Sequence, residues 1–192
     1  MVDSQVHEVM LAGHGGQGII STADLVGTAA NAQGLRALCR MVYGAEMRGG
    51  IVECTLIVSP DEILSPVVTR PKAVLAMNAD AWRHFGHEVA EGGVAVANSS
   101  IVTDTSSAPA GVRVIDVPCV EIADELGAKR TATVVGLGAL VEATGMLPLE
   151  AVEDAFAVTL PERHHKLIPV NVAALRAGAE RARHVLDAQP VG

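Results

Sequence analysis

The sequence predicts an α/β protein, three α/β/α layers around a mixed central sheet. Three observations carry that expectation. The stretch Met10–Ser21, MLAGHGGQGIIS, sets Gly13, Gly15, Gly16 and Gly18 between an apolar run that reads as a buried strand and a longer run that reads as a helix. Short runs rich in Val, Ala and Ile then recur between Gly, Pro and Asn punctuation, the pattern of further strands. From Pro118 onward the pattern changes to helices, so a sheet built early in the chain is covered by its later part.

Taken in order, Val6–Ala12 is the first strand, feeding the glycine stretch, and Ile19–Gln33 is a helix that Gly34 ends in a left-handed C-cap. Leu35–Val42 is a short, mostly apolar run, and Ile51–Val58 is a β-branched strand. Gly49 and Gly50 between them leave little room for a crossover helix, so this connection makes at least one antiparallel neighbour and the sheet mixed. Ala73–Met77 is a strand, Ala79–Ala90 a helix, and Gly92-Gly93 turns the chain into the strand Val94–Ala97; Val112–Val117 supplies one more. Helices follow at Val120–Leu126, Thr131–Ala143, Leu149–Val158 and Pro169–Asp187, the last with proline at its first helical position. There Val172, Leu175, Ala179, Ala182 and Leu186 share one face, expected to lie on the sheet, while Arg176, Glu180, Arg183 and Asp187 lie off it.

With 192 residues the chain is long enough for one domain with a full core. Hydrophobic residues make up 49% of it and aromatics only 2%, so the core is aliphatic. A mean hydropathy of +0.35 in so short a chain points to surface destined for another subunit. The net charge of −8, from 14 basic and 22 acidic residues, offers no field for nucleic acid. The opening MVDSQVHEVML lacks the charge pattern of a leader, and no apolar stretch reaches membrane-spanning length; the expectation is a cytoplasmic protein with no membrane partner. Cys39, Cys54 and Cys119 are scattered without a C-x-x-C spacing, so they read as buried thiols in apolar runs.

Gly13-x-Gly15-x-x-Gly18 between strand and helix matches the dinucleotide fingerprint, in which glycines let the backbone approach a pyrophosphate at a helix N-terminus. The acidic residue expected about 20 residues on, which holds a ribose hydroxyl, is missing. That region carries Arg36 and Arg40, with no acid before Glu46, which disfavours NAD and leaves an NADP-binding Rossmann reductase module as the alternative reading. A tight glycine turn with no ligand is the plain structural alternative. In Tyr43-Gly44-Ala45-Glu46-Met47-Arg48-Gly49-Gly50, mixed polarity and a glycine pair suggest an exposed loop offering a cation, Arg48, to a phosphate or carboxylate. The adjacent His164 and His165 lack the spacing that grips zinc, the acids make no recognisable dyad, and Ser99-Ser100 has no nucleophile elbow. No catalytic residue and no metal site is expected.

In order along the chain, GHGGQG, YGAEMRGG, SPDEILSP, AMN, GGVAVANSS, VPCVEIADELG and IPVNVAALRAG resemble the gamma subunit of 2-oxoacid:acceptor (ferredoxin) oxidoreductases, the family acting on pyruvate, 2-oxoglutarate or 2-ketoisovalerate. The resemblance implies that residues 1–192 form a single gamma-subunit domain with a Rossmann-like sheet. It implies a complex that turns a 2-oxoacid, CoA and oxidised acceptor into acyl-CoA, CO2 and reduced acceptor. The resemblance further implies that thiamine diphosphate, magnesium and 4Fe–4S iron–sulfur clusters are held by partner alpha, beta and ferredoxin-like delta subunits, with ferredoxin or a similar carrier as acceptor. This chain carries no G-D-G and Asn pair for a magnesium diphosphate and no cluster cysteines, so its expected part is assembly and a share of the CoA site. By the same resemblance Gly13, His14, Gly15, Gly16, Gln17, Gly18, Tyr43, Glu46, Arg48, Gly49 and Gly50 are the positions that meet CoA or a neighbouring subunit. One departure stands out, Ala45, where the family often has proline; His14 inside the glycine stretch either faces a partner subunit or fills the turn, and filling the turn is the expectation.

Overall fold

A computed structural model describes residues 5–43 and 50–188 of the chain. Its strands are β1 (His7–His14), β2 (Arg36–Tyr43), β3 (Ile51–Ser59), β4 (Ala73–Ala76), β5 (Val94–Asn98) and β6 (Arg113–Val117). The helices are α1 (Ile19–Ala32), α2 (Ala79–Phe85), α3 (Cys119–Glu125), α4 (Ala132–Thr144), α5 (Leu149–Thr159) and α6 (Ile168–Ala188). The strands make one sheet in the order β2-β3-β1-β4-β5-β6. β1, β4, β5 and β6 run parallel, and β3 is antiparallel to both β1 and β2, so the mixed sheet is present. β2 and β3 pair from Arg36 opposite Ser59 to Tyr43 opposite Val52, the antiparallel neighbour expected from the short glycine connection.

Period-two alternation sends successive side chains to opposite faces, and each face has its own core. On one side Val9, Leu11, Leu56, Leu75 and Ile115 pack under α1 and α3–α6. On the other, Met10, Ala12, Val74, Ala76, Ala95 and Ala97 meet Ala81 and Trp82 of α2. Each fully buried Leu contributes on the order of 1.5–3 kcal/mol, so the heavier first layer dominates stability. The layering places the helix after β1 and the helix after β4 on opposite faces of neighbouring strands.

Four local expectations need correction. Gly13 and His14 are the end of β1, paired with Val52 and Ile51, and the strand therefore runs two residues further than the glycines suggested. The helix from Ala79 stops at Phe85 and tightens into a 3-10 turn at Gly86–Glu88, because Gly86 packs against the Trp82 ring. The apolar face of α6 lies chiefly along α4 rather than the sheet. A Cβ at Gly138 would stand 1.9 Å from the Leu175 carbonyl oxygen and one at Gly178 1.8 Å from that of Val135, so paired glycines let the two backbones touch. Finally, Cys39 is exposed, unlike Cys54 and Cys119, because β2 is the outer strand of the sheet.

Candidate functional site

The turn leaving β1 is built from three requirements met by different residues. Gly13 is small because a Cβ there would sit 2.7 Å from Gln17 Oε1 and 2.9 Å from Ile19 Cδ1. Gly16 and Gly18 hold φ near +93° and +83°, left-handed values that cost other residues strain. Gln17 folds back under the turn: its Oε1 accepts from the His14 backbone N–H at 2.6 Å and from Asn78 Nδ2 at 2.9 Å. Asn78 is itself buried, and its Oδ1 caps α2 by accepting from the Ala81 N–H at 2.8 Å. The Thr133 hydroxyl donates to the Gln17 carbonyl, tying α4 to the same turn.

This turn forms one wall of a cleft of about 580 Å3 that also involves Met77, Asn98, Val120, Lys129, Arg130, Ala132 and Thr133. It opens outside the carboxyl ends of β1, β4 and β5, where α1 and α2 depart to opposite faces, the position at which open α/β sheets take ligands. Its floor is rigid: the fully buried Asn98 donates to the Met77 carbonyl at 3.1 Å and accepts from the Cys119 N–H at 3.2 Å. Its lining holds two cations and no acid. Lys129 and Arg130 are exposed at its rim, Lys129 lying 3.3 Å from Asp124, and the first turn of α1 carries no acid against the positive end of the helix. A protein of net charge −8 thus presents a local cationic cleft able to take an anion.

The two glycine-bearing stretches singled out in the sequence come together. The Gly15 N–H donates to the Gly50 carbonyl at 3.3 Å, and His14 stands opposite Ile51 in the sheet. Tyr43 ends β2, whereas Glu46, Arg48 and Gly49 lie outside the described residues. His14 points to α2, its Nε2 3.0 Å from Asp80 Oδ2, and Asp80 also pairs with Arg83. These two partners, His14 first, hold the Asp80 carboxyl below the usual carboxylate range. Lys129 and Arg130 escaped the sequence reading, since two basic residues ahead of an apolar helix make no motif; only folding sets them across from the glycine turn. Ser100 proves structural, its hydroxyl accepting from the Val120 N–H at 2.9 Å and donating to the Glu121 carboxylate at the start of α3. Among the described residues no group of three His, Cys, Asp or Glu side chains gathers where it could hold a metal ion.

Residues 8–181 match the family model for pyruvate ferredoxin/flavodoxin oxidoreductase. The chain is 34% identical to ketoisovalerate oxidoreductase subunit VorA of Methanothermobacter thermautotrophicus over 94% of its own length and 37% of that protein, so it spans little more than a third of that relative. Its fold is similar to the gamma subunit of the keto/oxoacid ferredoxin oxidoreductase of Geobacter sulfurreducens, with a TM-score of 0.79 and 28% identity over 93% of this chain and 99% of that one. It also matches the fold of the 2-oxoglutarate:ferredoxin oxidoreductase of Magnetococcus marinus, solved with 2-oxoglutarate, coenzyme A and succinyl-CoA bound, with a TM-score of 0.85 and 22% identity over 95% of this chain and 32% of that one. The chain therefore belongs to the pyruvate ferredoxin/flavodoxin oxidoreductase family, and its counterparts there are the gamma subunits of 2-oxoacid:ferredoxin oxidoreductases.

Proposed function

We propose that this chain is the non-catalytic gamma subunit of a 2-oxoacid:ferredoxin oxidoreductase, in which it receives the phosphates of CoA and binds the catalytic subunits. The overall reaction takes a 2-oxoacid, CoA and two oxidised one-electron acceptors to acyl-CoA, CO2, two reduced acceptors and a proton. Thiamine diphosphate and iron–sulfur clusters supply the carbanion and electron-transfer chemistry from the alpha, beta and ferredoxin-like delta subunits. The described residues of this chain gather no donor set for a metal.

The observation that carries this reading is the cationic cleft beside the glycine turn. CoA bears a diphosphate and a 3′-phosphate, and the α1 N-terminus, Lys129 and Arg130 offer the donors and charge those groups need. The cleft is large enough for part of CoA, leaving the thiol-bearing arm to run toward another subunit. Apolar surface supports docking: Leu64 and Val67, between β3 and β4, are 89% and 61% exposed. The NADP reading is weakened by topology. β3 lies between β1 and β2, which moves the end of β2 roughly 4.8 Å farther from the glycine turn than in a sheet where those strands are neighbours.

Purification of the tagged chain from its native host, with mass spectrometry of what accompanies it, tests the assignment. The expected companions are a thiamine-binding chain and an iron–sulfur chain, and the complex reduces a dye with 2-oxoacid and CoA while the chain alone, given thiamine diphosphate, magnesium and CoA, does not. Turnover by the isolated chain contradicts it.

A further inference from the structure

We propose that Cys39 and Cys54 are a redox-modification site, closing to a reversible disulfide under hydroperoxide and so stapling the β2–β3 hairpin. Both are free thiols, yet their sulfurs lie 2.7 Å apart, well inside ordinary non-bonded contact. The fold makes this meeting. Cys39 stands opposite Leu56 and Cys54 opposite Met41, which makes the cysteines diagonal neighbours on one face of an antiparallel pair.

Their surroundings differ and assign the roles. Cys39 is exposed on the outer strand, where an oxidant in water can reach it, and Cys54 is fully buried. Burial first, and then the neighbouring Cys39, push the Cys54 thiol well above its ordinary range, so it stays protonated while Cys39 reacts. The Cys39 thiolate attacks one oxygen of hydrogen peroxide; the O–O bond breaks, the other oxygen leaves as hydroxide and takes a proton to become water, and Cys39 becomes a sulfenic acid. The Cys54 sulfur, giving up its proton, then displaces the sulfenic hydroxyl, forming the S–S bond and a second water. Two thiols have lost two electrons and two protons, and the peroxide has gained them.

A diagonal pair across a ladder is spaced less favourably for a disulfide than directly bonded geometry requires, which makes the bond easier to reduce. β2 has a neighbour on one side only and yields more readily than an inner strand. The ring so closed, residues 39 to 54, includes Gly50, whose carbonyl meets the Gly15 turn. Cys119 takes no part: it is fully buried on α3, with its thiol pushed up to about 12 by burial.

The full-length chain, reduced, desalted and exposed to hydrogen peroxide, is blocked with iodoacetamide in denaturant and digested with trypsin. Arg40 and Arg48 lie between the two cysteines, so cleavage parts them unless the bond joins them. The expected product is a cross-link between the peptide ending at Arg40 and the one beginning at Gly49, lighter by two hydrogens and released by dithiothreitol. Cys119→Ser retains it, and Cys39→Ser leaves Cys54 fully alkylated. Recovery of Cys39 as sulfinic or sulfonic acid beside an alkylated Cys54, alkylation of both thiols after peroxide, or a cross-link only between two copies of the chain overturns the proposal.

Discussion

The backbone N–H of Gly15 donates to the carbonyl oxygen of Gly50, and that bond joins two stretches far apart in sequence at one corner of a single surface. A methyl group at Gly15, as at Gly16 and Gly18, meets nothing within 4 Å, but Gly15 alone of the three lacks a left-handed φ that a side chain would strain. Gly15→Ala is therefore expected to leave stability within about 0.5 kcal/mol of wild type, as substitutions on open surface do. A ligand approaching the turn would feel the added methyl, so the apparent KM for CoA of the assembled complex should rise.

Gly178→Ala is expected to do the opposite. The new methyl would lie 1.8 Å from the backbone carbonyl of Val135, and no side chain can swing aside to relieve it. Helices α4 and α6 must separate, at a cost of about 3 kcal/mol or more. Urea unfolding of the two glycine variants side by side checks the contrast; equal midpoints would show that the helix contact is looser than the glycine pair implies.

Asp80 gives a pH-dependent expectation. Its carboxyl is held below the ordinary aspartate value by His14 and then Arg83. A carboxylate with a lowered folded pKa stabilises the fold above the unfolded value of about 3.9, and that contribution is lost as pH falls through the folded value. In an NMR titration His14→Ala should move the Asp80 midpoint upward. Acid unfolding should begin at a higher pH in that variant than in wild type, and an unmoved Asp80 midpoint would remove His14 as the cause.

Arg48 sits in the second glycine-bearing stretch, directly ahead of Gly49-Gly50. One charge-assisted hydrogen bond from its guanidinium is worth roughly 1.5–3 kcal/mol, or about ten- to a hundredfold in affinity. Arg48→Ala in the assembled complex is expected to raise the apparent KM for CoA or to weaken subunit association on sizing chromatography, with the KM for the oxoacid nearly unchanged. Wild-type behaviour in both would reduce Arg48 to a solvated loop residue.

Much of the fold was legible because its signals are local. The strand–glycine–helix opening, the Gly34 cap and the glycine pair that predicted an antiparallel neighbour each act within a few residues, and the opening, the left-handed Gly34 and the antiparallel β2–β3 pair are all present. The placement of β3 between β1 and β2 was not legible, since alternation shows that a strand has two faces but not which strand lies beside it. The glycines at 138 and 178 gave no warning that α6 would lie on α4, because a close helix contact depends on both partners at once. The site divided in the same way. The glycine turn was visible as a motif, whereas Lys129 and Arg130 join it only through folding, and Cys39 and Cys54, 15 residues apart, meet only through strand register.

The central claim is that the cleft between the glycine turn and the start of α4 receives the phosphates of CoA. The measurement that tests it most directly is steady-state kinetics of the assembled complex carrying Lys129→Ala together with Arg130→Ala, with CoA and the 2-oxoacid varied in turn. Both side chains are exposed at the rim, so the fold should be undisturbed. The expected result is an apparent KM for CoA raised roughly tenfold or more, with the KM for the oxoacid unchanged. Wild-type values for CoA in an intact complex would contradict the claim.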